Sequence, residues 1–113
     1  MASDPTVFRQ LTTSAEIDQL LERSMEEPVL LFQHDPYCPI SSRAYREVML
    51  VGGTFALVDV SEPGDVKRTI EARTGVKHES PQVILLRGGR AVWSASHYAV
   101  TAEAIAQAAQ QSA

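Results

Sequence analysis

The residue of this chain whose type and position best predict chemistry is its single cysteine, Cys38. It follows an apolar run, stands in the segment Asp-Pro-Tyr-Cys-Pro, and comes directly before a helical pattern that begins at Pro39. The free backbone N–H groups and the dipole at the start of a helix favour the thiolate form of a cysteine. Because the thiolate is the attacking species in disulfide exchange, the sequence predicts a nucleophilic cysteine. The alternative is a small buried side chain without reactivity.

The numbers of cysteines and histidines limit other kinds of chemistry. One cysteine cannot form an internal disulfide, and it cannot supply a zinc site built from several thiolates. The three histidines show no pair at the spacing typical of metal ligands on a helix, so no metal is predicted. A carboxylate such as Asp35 opposes thiolate formation, whereas His34 or His78 either favours it or is an ordinary loop histidine.

Composition and charge exclude several classes of protein. The 113 residues, 44% hydrophobic and 21% charged, predict one globular domain spanning residues 1–113. Ten basic against fourteen acidic residues give a net charge of −4, the wrong sign for binding nucleic acid. No apolar run is long enough to span a bilayer, and residues 1–6 lack the pattern of a secretory signal. We therefore expect no membrane partner and a cytoplasmic location.

Hydrophobic periodicity, together with proline and glycine, divides the chain into alternating helices and strands. Thr13 and Glu16 form a capping-box pattern, Pro39 suits the first position of a helix, and Gly75 suits a helix end. The glycine pair at 88–89 joins two apolar runs into a β-hairpin. The predicted elements are helix 14–26, strand 29–32, a helix from 39 to the glycines at 52–53, strand 54–60, helix 63–74, strands 83–86 and 91–94, and a last helix after Thr101.

This order of elements predicts the fold class. Strands that alternate with helices and end in a hairpin form a mixed sheet with helices on both faces. The chain is therefore predicted to be an α/β protein, a three-layer α/β/α sandwich around a central four-stranded mixed sheet. A short extra N-terminal strand at residues 8–11 is left open.

Three segments carry a resemblance to a known family. They are Phe-Gln-His-Asp-Pro-Tyr-Cys-Pro-Ile-Ser-Ser at 32–42, His-Glu-Ser-Pro-Gln at 78–82, and Ser-His-Tyr at 96–98. Together they resemble the monothiol bacilliredoxins of the bacillithiol system, over nearly the whole chain. The resemblance implies a thioredoxin-like fold in which Cys38 is the nucleophile and Pro81 is a cis-proline facing it. It also implies that the backbone of Ser80 pairs with a bound substrate in extended form.

The resemblance further implies a reaction cycle that uses one cysteine. Ser41 stands where dithiol thioredoxins have a resolving cysteine, and a hydroxyl cannot release a mixed disulfide as a second disulfide. Phe32 stands where those proteins tend to have a buried acid. Cys38 would take bacillithiol from S-bacillithiolated client proteins, and a second low-molecular-weight thiol or a separate reductase would regenerate it. Bacillithiol is thus the expected co-substrate, and no tightly bound cofactor is expected.

The expected site combines these residues. Ser41 could donate a hydrogen bond to the thiolate, or it could be an ordinary first-turn residue. Because bacillithiol is anionic, Arg43, Lys77 and Arg87 are candidate binding groups, although such residues are more often solvated surface charges. The residues assigned to the site are Cys38 and Ser41 as catalytic residues, and His34, Tyr37, Pro39, Ile40, Ser80 and Pro81 as substrate-binding residues.

Two other functions are compatible with the sequence. One is a non-catalytic thioredoxin-like stress or adaptor protein that forms mixed disulfides passively. The other is an iron–sulfur protein similar to monothiol glutaredoxins, but the Cys-Pro-Ile-Ser segment at 38–41 lacks the glycine of their usual Cys-Gly-Phe-Ser loop. Peroxide reduction is not favoured, because the chain lacks the Thr-x-x-Cys arrangement of peroxiredoxins.

Overall fold

The computed structural model of this protein describes residues 5–112. Residues 1–4, which form most of the segment compared with secretory signals above, lie outside the described residues. No helix within residues 5–112 is long and apolar enough to cross a membrane. The elements are β1 (Thr6–Gln10), α1 (Ser14–Arg23), β2 (Val29–His34), α2 (Pro39–Met49), β3 (Gly53–Asp59), α3 (Val66–Thr74), β4 (Gln82–Arg87), β5 (Arg90–Ser96), a 3-10 turn (His97–Ala99) and α4 (Ala102–Gln111).

The strands form one mixed sheet in the order β1-β3-β2-β4-β5. β1, β3 and β2 are parallel, whereas β4 is antiparallel to β2, and β5 is antiparallel to β4. The last residues of β2 therefore lie beside the first residues of β4, with Gln33 opposite Gln82 and Gln82 opposite Ser96. The loop after β2, the loop before β4 and the turn after β5 thus share one edge of the sheet, which we call the site edge.

Helices cover both faces of the sheet, so the three-layer α/β/α architecture is confirmed. One face packs against α1 and α3, and the other against α2 and α4. Successive side chains of a strand point to opposite faces, so β2 contributes to both cores. The fully buried side chains on the α1–α3 face include Ile17, Leu31, Ile70, Ile84 and Leu86. Those on the α2–α4 face include Phe32, Val48, Phe55, Val83 and Ile105.

The N-terminal strand is a full member of the sheet. All five residues of β1 pair with β3, so the sheet consists of the four predicted strands and the extra N-terminal strand, which runs from Thr6 to Gln10. The Thr6 hydroxyl donates to the Val48 carbonyl oxygen at 2.8 Å and accepts from the Gly52 N–H at 2.9 Å. These long-range bonds tie the start of β1 to the end of α2.

Local chemistry explains where the elements begin and end. The capping box of Thr13 and Glu16 is present, and the Thr101 side chain caps α4. Helix α1 ends at Arg23, three residues before the predicted end, and α3 begins at Val66 rather than at residue 63. Gly75 ends α3 in the left-handed conformation, with φ of 74°, which glycine adopts without a Cβ clash.

Candidate active site around Cys38

Three segments meet at the site edge and form the surroundings of Cys38. The loop after β2 leads into Cys38, and the loop before β4 contains Ser80 and Pro81. The 3-10 turn after β5 contacts α2, and its first residue, His97, donates its N–H to the Pro81 carbonyl oxygen at 2.9 Å. The topology therefore places together the segments that sequence reasoning had assigned to one site.

Cys38 is the N-cap residue of α2, as its position in the sequence predicts. It has an extended backbone with φ of −104° and ψ of 124°, and Pro39 occupies the first helical position. The first intrahelical bond runs from the Ser42 N–H to the Cys38 carbonyl oxygen at 2.9 Å. The amides of Ile40 and Ser41 consequently precede this bond and remain without an intrahelical acceptor. The free thiol is half-buried at this positively polarised helix end.

The hydroxyl of Ser41 makes no hydrogen bond to the Cys38 sulfur among residues 5–112, so its donation to a thiolate stays a prediction. Ser41 is completely buried, and its Oγ lies 2.7 Å from Nδ1 of His34 and accepts the N–H of Asp35 at 2.9 Å. Within residues 5–112 the sulfur has no hydrogen-bond partner. The reason is that the loop folds back: the Asp35 carbonyl oxygen accepts the Cys38 N–H at 3.1 Å, which brings the Asp35 amide over the first turn of α2.

His34, which the sequence predicts to bind substrate, is the last residue of β2 and is half-buried before the loop that leads to Cys38. Its ring stacks on Phe32, with centroids 5.2 Å apart, and lies 5.1 Å from the ring of Tyr45 on α2. Burial of the ring lowers the pKa of His34 below its ordinary value, and the carboxylates of Asp59 and Asp35 oppose this effect. The ring is therefore neutral at neutral pH and can accept or donate one hydrogen bond through Nδ1.

The loop before β4 contains two features that sequence reasoning assigned to substrate binding. The Ser80–Pro81 peptide bond is cis, and Pro81 is buried. The Ser80 hydroxyl oxygen is buried and has no hydrogen-bond partner within the described part of the chain. The next residue, Gln82, is 2% exposed and anchors the loop to the sheet.

A buried amide network behind this loop was not anticipated. Gln33 Nε2 donates to Gln82 Oε1 at 2.7 Å, and Gln82 Nε2 donates to the Lys77 carbonyl oxygen at 3.0 Å and to Ser96 Oγ at 3.1 Å. His78 Nδ1 donates to Gln33 Oε1 at 3.0 Å. Burial lowers the pKa of His78, Lys67 lowers it further, and Glu71 and Glu79 oppose both. In the sequence, Gln33 directly follows one apolar run and Gln82 directly precedes another. That the two glutamines pair could not be predicted, because the pairing depends on strand register.

The rim of the site is aromatic and carries one arginine. Tyr37 is 85% exposed beside Cys38, and Tyr98 is 63% exposed on the 3-10 turn. The Arg43 guanidinium carbon lies 5.5 Å from the centre of the Tyr98 ring, and its Nη1 is buried without a hydrogen-bond partner among residues 5–112. Arg87, another candidate for anion binding, ends β4 at the opposite edge of the sheet, so its distance from the site edge removes it from the site.

The cavity at the end of the parallel strands does not include the cysteine. A cavity of about 170 Å³ lies at the carboxyl ends of β1 and β3 and is lined by Leu11, Val60 and Val66. Cys38 and Pro81 are absent from its walls. Cys38 instead lies on an open surface between exposed side chains, an arrangement that can admit a macromolecular substrate. Among residues 5–112 there is no group of three or more side chains that could hold a metal ion.

Comparison with solved structures defines the class of protein. A structure described as a candidate oxidoreductase with a thioredoxin fold is similar to this chain with a TM-score of 0.81 at 28% identity, covering 90% of this chain and 93% of that one. The thioredoxin of Fasciola hepatica matches with a TM-score of 0.71 at 14% identity, covering 93% and 99% of the two chains. The thioredoxin of Trypanosoma brucei brucei also matches with a TM-score of 0.71, at 11% identity, covering 93% and 89%. The fold is therefore the thioredoxin fold.

The sequence then places the chain within that fold class. The profile of the family described as monothiol bacilliredoxin BrxC matches residues 9–105, which is most of the chain. The chain belongs to the monothiol bacilliredoxin family. This confirms the resemblance drawn from the three segments, and membership in a family of thioredoxin-fold oxidoreductases supports thiol redox activity.

Proposed function

We propose that this protein is a thiol–disulfide oxidoreductase that removes bacillithiol from S-bacillithiolated client proteins. The observation that carries the proposal is the placement of a single, half-buried cysteine at the N-cap of α2, on the same edge of the sheet as the cis Ser80–Pro81 bond. A helix N-terminus favours the thiolate, which is the nucleophile of disulfide exchange. Family membership supports bacillithiol as the small thiol.

The proposed reaction uses one sulfur of the protein in two exchange steps. The Cys38 thiolate attacks the bacillithiol sulfur of the client's mixed disulfide, and the client leaves as a thiolate that takes a proton from solvent. Cys38 and bacillithiol are then joined by a disulfide. A second thiol molecule attacks the bacillithiol sulfur of this disulfide, which releases Cys38 as thiolate and forms a small-molecule disulfide. A separate reductase is the alternative partner for regeneration, and no tightly bound cofactor takes part.

The surface around Cys38 supports a client protein as substrate. Tyr37, Pro39 and Ile40 flank Cys38 in the chain and are proposed to contact the client, to which the exposed Tyr37 offers an apolar surface. On the other side, the backbone of Ser80 before Pro81 is proposed to pair with an extended segment of the client. Such main-chain pairing binds a segment largely independently of its sequence, which suits a protein that serves several clients.

Arg43 is proposed to bind the anionic part of bacillithiol. Its guanidinium lies on α2 near the 3-10 turn, and the buried Nη1 has no acceptor among residues 5–112. An unsatisfied buried donor at a functional site calls for a partner, and a carboxylate is the partner that a guanidinium binds best. Lys77 is exposed in the loop before β4 and is a further candidate for binding the anion.

The test is removal of bacillithiol from a client protein that carries one S-bacillithiolated cysteine. With excess bacillithiol and a catalytic amount of enzyme, mass spectrometry should show many turnovers by the wild type. The Cys38→Ser variant should clear the adduct at the uncatalysed rate, because an alcohol at neutral pH is not a nucleophile for disulfides. The Arg87→Gln variant, altered at the opposite edge of the sheet, serves as the control with wild-type rate.

The same assay separates the rival functions. A single stoichiometric adduct on Cys38 without turnover would contradict the proposal and support a passive adaptor. Faster clearance of an S-glutathionylated client than of the bacillithiolated one would keep the chemistry and replace the small thiol. An iron-containing dimer after anaerobic purification, with no exchange activity, would support the iron–sulfur alternative instead.

A further inference from the structure

The backbone of His97 adopts a conformation that is uncommon for a residue with a side chain. Its φ is 56°, and within residues 5–112 no other residue apart from glycine has a positive φ. This left-handed region is costly for most residues, although histidine is among the few side chains enriched there. Such a conformation persists only where the surrounding structure holds it, and it is found most often at functional sites.

The segment that enters this bend is bound to the loop before β4. The His97 N–H donates to the Pro81 carbonyl oxygen at 2.9 Å, and Ser96 Oγ accepts from Gln82 Nε2 at 3.1 Å. Ser96 and Gln82 are also register partners in the β4–β5 ladder. Pro81 directly follows Ser80, whose backbone is proposed to pair with the client. The end of β5 therefore holds the loop that is proposed to bind the client.

The segment that leaves the bend contacts the helix whose N-cap residue is Cys38. The ring centre of Tyr98 lies 5.5 Å from the guanidinium carbon of Arg43 on α2. Val100 donates its N–H to the His97 carbonyl oxygen at 3.2 Å, and its fully buried side chain belongs to the core that α2 and α4 form with the sheet. His97 is therefore the residue at which the chain passes from the Pro81 loop to α2.

We propose that His97 is a positioning residue whose left-handed backbone sets the placement of the Pro81 loop relative to α2, and thus of the client relative to Cys38. Because φ is the rotation about the N–Cα bond, it decides where the chain goes once the His97 N–H is bound to Pro81. A negative φ would direct the chain elsewhere, so the Pro81 bond and the Tyr98 contact could not both be kept. The inference rests on the proposed function, but it does not depend on which small thiol the client carries.

The test compares substitutions that differ in whether they accept a left-handed backbone. His97→Gly has no Cβ, and His97→Asn introduces a side chain that tolerates this region, so both should keep the turn. His97→Val is β-branched, and a positive φ is an outlier for such residues, so it should displace the turn. Ala99→Val is the matched control, because it adds the same side chain to an exposed residue of the same turn that has no positive φ.

Two rates at Cys38 separate positioning of the client from general damage to the site. For a client with one S-bacillithiolated cysteine, His97→Val should lower kcat/KM about tenfold, because the client segment is misplaced relative to the sulfur. Alkylation of Cys38 by iodoacetamide should keep the wild-type rate in this variant, since so small a reagent needs no contact with the Pro81 loop. His97→Gly, His97→Asn and Ala99→Val should match wild type in both rates.

Three results would overturn the inference. One is a wild-type kcat/KM in His97→Val. Another is an equal loss of kcat/KM in His97→Gly, which would assign the effect to the imidazole side chain rather than to the backbone. The third is an equal loss of kcat/KM and of alkylation in His97→Val, which would indicate damage to the nucleophile itself.

Amide hydrogen exchange followed by NMR tests the bond to Pro81 even if His97→Val does not fold. The amide at position 97 should be protected in the wild type and in His97→Gly, and rapid exchange of this amide in the wild type refutes the inference. Failure of the inference leaves the proposed function intact, since Cys38 would still clear the bacillithiol adduct. If the wild type clears no bacillithiol, the function fails, and the same variants with an S-glutathionylated client, together with amide exchange, still decide the inference.

Discussion

Gln33 and His34 are neighbours in β2, yet their side chains leave opposite faces of the sheet and end in networks of different kinds. The side-chain amide of Gln33 donates to Gln82 and accepts from Nδ1 of His78, and both glutamines are buried. The side chain of His34 contacts a hydroxyl instead, since Nδ1 of its ring and Oγ of Ser41 form a hydrogen bond at 2.7 Å. Both histidines use Nδ1, one with an amide oxygen as partner and the other with a hydroxyl.

The two hydrogen-bond networks therefore differ in how they respond to protonation of their histidine. Protonation of His78 leaves its Nδ1–H in place, so the bond to Gln33 survives. The neutral His34 ring can either donate to or accept from the Ser41 hydroxyl through Nδ1, whereas the protonated ring can only donate. The amide network therefore positions the loop of Pro81, whereas the His34 network supports the loop before Cys38 and can respond to a proton.

The largest expected effect is the loss of stability when the amide network is broken. Gln82→Leu removes three hydrogen bonds and leaves the buried Gln33 amide and the Lys77 carbonyl without partners. We expect the free energy of unfolding to fall by about 3 kcal/mol, since an unsatisfied buried group costs roughly 1–3 kcal/mol. Urea denaturation followed by circular dichroism measures this change.

Two controls decide whether the loss comes from unpaired amides. Gln107→Leu on the exposed face of α4 should leave the free energy of unfolding within about 0.5 kcal/mol of wild type. The double variant Gln33→Leu with Gln82→Leu should recover part of the loss, because the fully buried Gln33 amide is no longer left unpaired and the His78 Nδ1 that loses its acceptor is only half-buried. A loss below about 1 kcal/mol for Gln82→Leu would contradict a structural role for the network.

A smaller effect is expected in the dependence of stability on pH. Burial lowers the pKa of both His34 and His78 in the folded protein, so the unfolded chain binds more protons near pH 6. The free energy of unfolding should therefore decrease as the pH falls through the ordinary histidine value near 6.5. Urea midpoints at pH 7.5 and pH 5.5 measure the slope.

Variants assign that slope to the two rings. His34→Phe and His78→Asn should each reduce the pH dependence, because each removes one buried titrating group. His97→Asn on the exposed 3-10 turn should leave the slope unchanged. A steep slope that persists in the His34→Phe, His78→Asn double variant would show that other groups control acid stability.

The fold was largely predictable because its signals are local. The capping box at Thr13, the glycine at the end of α3 and the glycine hairpin turn all act within a few residues of themselves. The full length of β1 was not predictable, since Thr6 is secured by bonds to residues 42 and 46 positions away. Helix α1 ends early because the amides of Met25 and Glu26 bond to the carbonyls only three residues back, at Glu22 and Arg23, which tightens the chain into a turn.

The helix start at Cys38 was predicted from the sequence, whereas the contacts that support it were not. The role of Cys38 as nucleophile stays a prediction. The partner of Ser41 could not be predicted, because the turn that brings the Asp35 amide and the His34 ring to its hydroxyl is a property of the folded loop. Arg87 looked equivalent to Arg43 as an anion-binding residue in the sequence, and only the direction of β4 showed that it lies at the other edge.

The smallest expected change in stability concerns Arg43, which contrasts with Gln82. Its guanidinium contacts an exposed ring, and its buried Nη1 is unpaired among residues 5–112. Arg43→Met keeps much of the side-chain volume, loses a cation–π contact of about 0.5–1 kcal/mol, and removes the unpaired nitrogen. We expect the free energy of unfolding to change by less than about 1 kcal/mol, measured by urea denaturation.

The functional effect of Arg43→Met should depend on the charge of the small thiol. If the guanidinium binds a carboxylate of bacillithiol, the variant should raise KM for Cys38 regeneration by bacillithiol and leave regeneration by the uncharged thiol 2-mercaptoethanol unchanged. Arg87→Met, which removes the same charge from the far edge, controls for the net charge of the protein. Equal losses with both thiols would show that Arg43 does not recognise the anion. A destabilisation as large as that of Gln82→Leu would show that it supports the fold, because an arginine held for a ligand adds little to the stability of the free protein.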